Sequence, residues 1–173
     1  MMGFDNRAPE FHDALSILLK DQEPIVRRNA ALALVRFDDR SGREELLSIL
    51  KPFAVKAPAT GTIASSMQEG ATVARRTLLA RIQQPDGSVS EIRSPLPGRV
   101  NKILKPNGSQ VSRDDEVLTL NSDEQSVWEA LRGLSFVGTK DDLQLVQSYG
   151  TSAEVSSRIK DQASLTAKAI QSR

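Results

Sequence analysis

Apolar residues recur at helical spacing in the first third of the chain. In the segment EFHDALSILLK the apolar positions fall on one side of a predicted helix, and His12 falls on the other. A second predicted helix begins near Asp21, a candidate cap, and Pro24, which suits a first helical turn. A third has Ser41 as its candidate cap. We therefore expect residues 1–52 to form short helices joined by short turns.

The last third of the chain, residues 122–173, returns to the helical pattern. Gly138 and Gly150 are expected to interrupt it, so that the last of three helices begins near Ala153. Acidic pairs lie near the predicted helix starts, where the positive end of the helix dipole stabilises them without any catalytic role.

Residues 53–121 change to the pattern of short strands and turns, and they contain an internal duplication. The halves APATGTIASSMQEGATVARRTLLARI and SPLPGRVNKILKPNGSQVSRDDEVLTL match once one inserted residue in the second half is allowed for. The matched pairs are Pro58 and Pro95, Gly61 and Gly98, Ile63 and Val100, Gly70 and Gly108, Val73 and Val111, Leu79 and Val117, and Ile82 and Leu120. Such a duplication predicts two interlocked halves forming a small two-sheet barrel, filled by alternating apolar residues.

Composition and charge are those of an ordinary globular protein. Of 173 residues, 39% are hydrophobic, and 23 basic residues balance 22 acidic ones to a net charge of +1. This balance does not favour nucleic acid as a partner. The absence of cysteine excludes disulfides and thiolate sites. No apolar run approaches the ~20 residues of a membrane helix, and MMGFDNRAPE lacks the apolar core of a signal peptide. A soluble, cytoplasmic protein is the default expectation, and a periplasmic one if an upstream signal or anchor is missing.

One helical stretch carries a more specific pattern. Residues 21–34 read D-x-x-P-x-V-R-x-x-A-x-x-A-L, which resembles the second helix of a HEAT-like repeat. Such repeats stack as helical hairpins because one alone cannot bury its apolar face. The alternative is a generic helical bundle, and the pattern does not recur cleanly near the C-terminus. The opening MMGFD resembles the end of a preceding repeat helix, so we expect a longer native protein.

The duplicated segment also carries a resemblance. Its skeleton, A-P-x-x-G-x-I followed by G-x-x-V and a further apolar residue, resembles the biotinyl/lipoyl family of barrel-sandwich hybrid domains. In carrier members of that family, the hairpin between the halves presents a lysine that receives biotin or lipoate. The corresponding position here falls at about Asp86 or Gly87, and no lysine occurs between Lys56 and Lys102. We therefore expect no attached cofactor, and Asp86-Gly87 suits a two-residue hairpin turn instead.

Two positions depart from the family pattern. Members usually place Gly three residues after the Val of each half, whereas this chain has Arg76 and Asp114 there, so altered turns are expected. Members without the lysine include the periplasmic adaptor proteins of bacterial efflux and secretion systems. These commonly carry a helical hairpin between the halves, where this chain has only a turn.

Few residues favour catalysis or metal binding. His12 is the only histidine, and on the polar face of its predicted helix it is expected to be solvated. Adjacent carboxylates such as Asp114 and Asp115 point in different directions along a strand and do not form an acid/base pair. We expect no catalytic residue, no metal site and no cofactor.

A small excess of basic residues in the middle segment raises the question of a partner. Residues 53–121 contain nine basic residues and six acidic ones. A solvated surface explains the excess; the alternative is a docking face for an acidic partner, with Arg93 and Arg99 flanking the SPLPG turn and Lys102 close behind. Trp128 is either a partner anchor or a core residue.

Together these patterns predict an α+β fold. A small barrel-sandwich hybrid domain, residues 53–121, is expected to be inserted into, or packed between, HEAT-like helical hairpins of residues 1–52 and 122–173. The expected function is a non-catalytic protein-protein interaction or scaffold module, as a subunit or fragment of a larger assembly. One alternative is a periplasmic adaptor of an envelope transport complex. Another is a degenerate carrier domain of a carboxylase or dehydrogenase complex.

Overall fold

The computed structural model describes residues 9–173 and shows a mixed α and β fold. The chain divides into two compact units, Met1–Leu50 with Glu124–Arg173, and Lys51–Asp123. The first is the helical unit, and the second, the β unit, holds all the strands of the described residues. The opening MMGFD, on which the expectation of a longer native protein rests, lies outside the described residues.

Six α-helices and two short 3-10 turns form the helical unit in residues 9–173. The helices are α1 (Pro9–Leu18), α2 (Pro24–Leu34), α3 (Arg43–Ile49), α4 (Glu124–Val137), α5 (Leu143–Thr151) and α6 (Ser157–Gln171). The 3-10 turns are Val35–Phe37 and Lys140–Asp142. The predicted helical character of both segments is confirmed.

The caps predicted for α2 and α3 are wrong, although α2 does begin at Pro24. No side chain caps α2, and Asp21 Oδ1 accepts the N–H of the N-cap residue itself, at 2.7 Å. The N-cap of α3 is Gly42 rather than Ser41. A Cβ at Gly42 would lie 2.7 Å from the Cα of Ala31, so the close approach of α2 decides this helix start.

The two glycines of the C-terminal segment have different roles. α4 ends just before Gly138, as predicted, but Gly150 lies within α5. A Cβ at Gly150 would contact Ala163 and Ser164 of α6 at 4.0 and 3.7 Å, so this glycine lies at a helix contact rather than at a break. The last helix begins at Ser157, later than predicted.

Both helical segments contribute to one hydrophobic core. Its buried members are Ala31, Leu46, Leu47, Ile49, Leu50, Val127, Ala130, Leu131, Leu134, Val137, Val146, Ile159, Ala163, Ala167 and Ile170. Polar contacts also join the segments. Arg43 Nε and Nη2 donate to the two carboxylate oxygens of Asp142 at 2.9 and 2.5 Å, and Tyr149 Oη donates to the Leu50 carbonyl at 2.8 Å.

Eight strands in the β unit form two four-stranded antiparallel sheets. They are β1 (Phe53–Lys56), β2 (Gly61–Ser66), β3 (Thr72–Val73), β4 (Leu78–Gln83), β5 (Val89–Arg93), β6 (Gly98–Ile103), β7 (Gln110–Val111) and β8 (Glu116–Ser122). The strand orders are β1-β8-β6-β3 and β5-β4-β2-β7, so each sheet takes strands from both halves of the duplication. These strands do not close into one continuous barrel, because the pairings end at the edges of two separate sheets.

The duplication predicted from the sequence is seen in the backbone contacts. Gly70 N–H donates to Val100 O at 2.8 Å, and its match Gly108 donates to Ile63 O, also at 2.8 Å. Each bond joins one half to the other. The apolar members of the matched pairs are all buried in the core of this unit: Ile63, Val73, Leu79, Ile82, Val100, Val111, Val117 and Leu120.

Candidate functional site

The hairpin that contains Asp86 connects β4 to β5. Gln84 N–H donates to Ser88 O at 2.9 Å, Gly87 N–H donates to Gln84 O at 3.1 Å, and Gly87 has a φ of +86°. Three residues therefore lie inside the closing pair, and the predicted two-residue turn is wrong. Pro85 has no N–H with which to close a two-residue loop. Its fixed φ suits a three-residue loop that ends in a left-handed glycine.

The Asp86 carboxylate is engaged within its own turn. Its Oδ1 accepts hydrogen bonds from the Ser88 hydroxyl at 2.7 Å and from the Ser88 N–H at 2.9 Å. These bonds, the hydroxyl first, lower the pKa of Asp86 because they stabilise the charged form. A carboxylate cannot form the amide that attaches biotin or lipoate, and this one is occupied in shaping the loop.

The turns at Arg76 and Asp114 keep the backbone shape expected of glycine. Their φ values are +68° and +70°, in the left-handed region that L-residues rarely adopt. Arg76 N–H donates to Ser94 O at 2.7 Å, and Asp114 N–H donates to Ala57 O at 2.9 Å. The expectation of altered turns is therefore wrong. Equivalent hydrogen bonds between the halves hold both residues in the left-handed conformation, despite their side chains.

Arg93 and Arg99 lie on either side of the SPLPG turn, at the end of β5 and near the start of β6. Both side chains are exposed. Arg93 Nη1 donates to Arg76 O at 3.0 Å and its Nη2 to Glu91 Oε2 at 2.6 Å. Arg99 Nε donates to Gly70 O at 2.6 Å. Each guanidinium is therefore oriented by a backbone carbonyl next to this turn.

Lys102 reaches the solvent-facing side of β6 through a bulge. In a regular strand, residues three apart such as Arg99 and Lys102 point to opposite faces. The register with β8 shifts between Val100 and Lys102, and both Asn101 and Lys102 are exposed. The bulge therefore turns Arg99 and Lys102 to the same outer face, which the sequence pattern alone did not predict.

Trp128 lies on α4 in the helical unit, partly buried against its core. The guanidinium carbons of Arg132 and Arg158 lie 5.5 and 4.5 Å from its ring centroid. Sequence reasoning singled out Trp128 but missed both arginines. Arg132 is signalled by its position one helical turn after Trp128. Arg158 comes from α6, so no local spacing indicates it.

His12 is held by contacts, and the expectation of a merely solvated histidine is wrong. Its Nε2 lies 2.6 Å from Asp39 Oδ2, and its ring centroid lies 5.5 Å from that of Phe37. The Ser41 hydroxyl donates to Asp39 Oδ1 at 2.5 Å. Hydrogen bonds from Ser41, and then His12, lower the pKa of Asp39. Because Ser41 donates to the carboxylate rather than to the imidazole, this trio has no serine-to-base contact of the kind that activates a nucleophile.

Two further findings concern residues 9–173 as a whole. No group of three or more His, Cys, Asp or Glu residues in this range is arranged to hold a metal ion. None of the helices in the same range combines the length and apolar character that crossing a membrane requires.

Comparison with known proteins assigns no family to the chain. No family model matches it, and no curated protein matches it in sequence. Among solved structures, a single-chain, multi-domain long-chain acyl-CoA carboxylase is similar, with a TM-score of 0.39 and 19% identity. The match covers 57% of this chain and 9% of the carboxylase chain. Similarity at this level assigns neither a fold family nor an activity.

Proposed function

We propose that this chain is a non-catalytic protein-protein interaction module. In this proposal, the β unit is a barrel-sandwich hybrid domain of the biotinyl/lipoyl type without an attachment lysine, and the helices form a HEAT-like unit. The observation that carries the proposal is the β4–β5 hairpin. At about the position of the carrier lysine it has Asp86, whose carboxylate is bound to Ser88 in a closed turn, and Gly87.

The connectivity of the β unit supports its proposed type. Each sheet combines strands from both matched halves, as expected when two duplicated halves interlock. The HEAT-like assignment of the helices has narrower support, which is the repeat pattern of residues 21–34 and the packing of α2 between α1 and α3.

Exposed cations on the β unit support an acidic protein as the partner. Arg99 and Lys102 share the outer face of β6, and Arg93 lies across the SPLPG turn from Arg99. Arg93 also pairs with Glu91 at 2.6 Å. Exposed cations on these strands favour and orient a partner with surface carboxylates, and their effect weakens as salt screens it. We expect neither a nucleic-acid partner nor a direct membrane span, and an envelope transport complex is the alternative partner.

The test is affinity purification of the whole chain from its native host under mild cross-linking. We compare it with a variant carrying Arg93→Glu and Arg99→Glu. The matched control carries Lys56→Glu and Arg113→Glu, which makes the same charge change elsewhere on the β unit. Lys56 precedes Ala57 and Pro58 as Arg93 precedes Ser94 and Pro95, so it is the duplicate counterpart of Arg93. We expect a discrete partner that the first variant loses and the control keeps.

Three results would contradict the proposal. If both variants lose the partner alike, the partner does not bind specifically through Arg93 and Arg99. If no partner is recovered, the proposal of an interaction module has no support. A biotinyl or lipoyl adduct in the intact mass of the purified chain would establish the carrier alternative instead. Recovery of membrane transport components would favour the adaptor alternative.

A further inference from the structure

α4 and α6 run side by side in the same direction. Arg158 Nη2 donates to Gln125 Oε1 at 3.0 Å near the start of both helices. About two turns further along, the buried Thr166 hydroxyl donates to the Leu131 carbonyl at 2.8 Å. Residue numbers increase together along the two helices, so α4 and α6 are parallel neighbours.

The solvent-facing margins of this helix pair carry large apolar and cationic side chains. Trp128, Arg132 and Phe136 recur every four residues along α4 and therefore lie in one row. Arg158 of α6 lies over the Trp128 ring, and Leu165, seven residues later, falls on the same side of α6 as Arg158. Phe136 is 56% exposed and Leu165 is 60% exposed, although both are large hydrophobic residues. We call these five residues the Trp128 surface.

The cations of the Trp128 surface have no carboxylate partner within the described chain. Arg132 and Arg158 lie over the Trp128 ring, and neither makes an ion pair in residues 9–173. Stacking on an aromatic ring orients a guanidinium and leaves its N–H donors available for a carboxylate. The other cations of this helix pair are Lys160 and Lys168, with Arg173 just beyond α6, and its carboxylates are Glu124, Glu129 and Asp161. Five cations against three carboxylates leave the positive charge in excess.

We propose that the Trp128 surface binds an amphipathic helix of a partner protein that carries carboxylates beside its apolar face. Phe136 and Leu165 would receive the apolar side chains of that helix, and Arg132 and Arg158 would bind its Asp or Glu residues. Trp and Arg side chains next to exposed apolar residues are the composition of energetically dominant interface positions. This inference rests on the proposed function, because it names a partner class for the interaction module, but it uses residues of the helical unit alone.

Trp128 is the only tryptophan, so intrinsic fluorescence of the whole chain reports directly on this surface. The probe is a synthetic helical peptide of ~16 residues with Leu at helical i, i+3, i+4 and i+7 positions and Glu beside them. A second peptide has the same Leu positions with Lys in place of Glu. We expect the acidic peptide to shift the Trp128 emission saturably, with an affinity that falls as salt rises, and to bind at least about tenfold more tightly than the basic one.

Two variants test the residues of the surface. Arg132→Gln with Arg158→Gln removes the cations, and Phe136→Ser with Leu165→Ser removes the exposed apolar side chains. Each variant is expected to bind the acidic peptide about tenfold or more weakly than the unchanged chain. The control, Lys56→Gln with Arg113→Gln, removes two cations of the β unit outside the proposed Arg93 and Arg99 surface and should leave the affinity unchanged. Thermal unfolding of each variant checks that the helical unit remains folded.

Several outcomes would overturn the inference. These are equal affinity for the two peptides, no saturable shift with the acidic one, or unchanged affinity in both surface variants. Light scattering measures the oligomeric state and so tests whether a second copy of the chain occupies the surface. A dimer that becomes monomeric in the variant with Phe136→Ser and Leu165→Ser would assign the surface to that second copy. The proposed interaction through Arg93 and Arg99 is measured separately by purification. Peptide binding therefore fails or succeeds independently of it.

Discussion

The β unit and the helical unit are stabilised by different kinds of contact. In the β unit, equivalent backbone hydrogen bonds join the two halves, as at Gly70 and Gly108, and glycines lie where two backbones meet. In the helical unit, single side chains bridge positions 99 residues apart, as from Arg43 to Asp142. In residues 9–173, the closest backbone approaches to an added Cβ, at Gly61 and Gly98, lie in the β unit. We therefore expect the largest cost of an added atom there, and a large cost of removing a bridging side chain in the helical unit.

The largest effect is expected from an added methyl group in the β unit. A Cβ at Gly98 would overlap the carbonyl oxygen of Asn121, which is backbone and has little room to move. We expect Gly98→Ala to destabilise the β unit by about 3 kcal/mol or more. Denaturant unfolding followed through backbone amide NMR signals of Lys51–Asp123 measures this.

The control for that variant is Gly87→Ala in the hairpin. No atom lies within 4 Å of a Cβ there, and only the left-handed φ of +86° opposes the substitution. We expect a cost of about 1–2 kcal/mol. If Gly98→Ala and Gly87→Ala lower the stability of the β unit equally, the close backbone contact at Gly98 is not the cause of the loss.

Removal of one carboxylate should have the next largest effect, now in the helical unit. Asp142 is buried, and its two oxygens accept the bidentate pair from Arg43. We expect Asp142→Ala to cost about 2–3 kcal/mol because Arg43 loses its main partner. Trp128 fluorescence during urea unfolding measures it. Glu44→Ala is the matched control, since this second partner of Arg43 is 78% exposed and should cost less than about 1 kcal/mol.

A single hydrogen bond between the segments should contribute less. Removing the Tyr149 hydroxyl with Tyr149→Phe leaves the Leu50 carbonyl without its donor, and we expect a cost of about 1 kcal/mol. Burial also raises the pKa of Tyr149. Its contribution to stability is therefore present below the ordinary tyrosine pKa of about 10 and is lost as pH rises through the raised value.

Tyr149 is the only tyrosine, so ultraviolet absorbance during an alkaline titration follows it alone. Titration at or below the ordinary tyrosine pKa would contradict its burial. The Phe variant should show a flatter dependence of stability on pH above about 10.

The smallest effect is expected to be stabilising. Arg76 and Asp114 both have a positive φ, a conformation that is unfavourable for a residue with a side chain and that Gly adopts freely. Gly also loses more conformational entropy on folding, which offsets part of that gain. We expect Arg76→Gly and Asp114→Gly each to stabilise the β unit by less than about 1 kcal/mol. Differential scanning calorimetry measures the shift. A destabilisation at either position would mean that the side chain contributes contacts beyond its backbone role.

The same contrast explains how much of the fold could be predicted from the sequence. Gly61 and Gly98 repeat because the same close backbone approach occurs twice, so the sequence alone reveals the duplication. The cap of α3 was not predictable, because Gly42 is required by Ala31 of another helix. The left-handed turns at Arg76 and Asp114 were missed because glycine, the usual signal for that conformation, is absent.

The candidate sites show a similar division. Trp128 could be singled out as a rare aromatic residue, and Asp86 through its place in the duplication. The arrangement of Arg158 over the Trp128 ring depends on the packing of α6 against α4, and no sequence interval encodes it. Lys102 shares a face with Arg99 only because of a bulge in β6, which period-two reasoning does not anticipate.

The interrupted order of the helical unit has a consequence during synthesis on the ribosome. Residues 51–123, 73 in number (123 − 51 + 1), are translated after α3 and before α4. At typical elongation rates this takes roughly 4–15 s. During that interval Leu46 and Leu47 cannot be buried in the shared core, because α4 and α6 have not yet been synthesised. The β unit, whose strands are contiguous in the chain, can complete its fold first, and the nascent N-terminal helices are the part that a holding chaperone would protect.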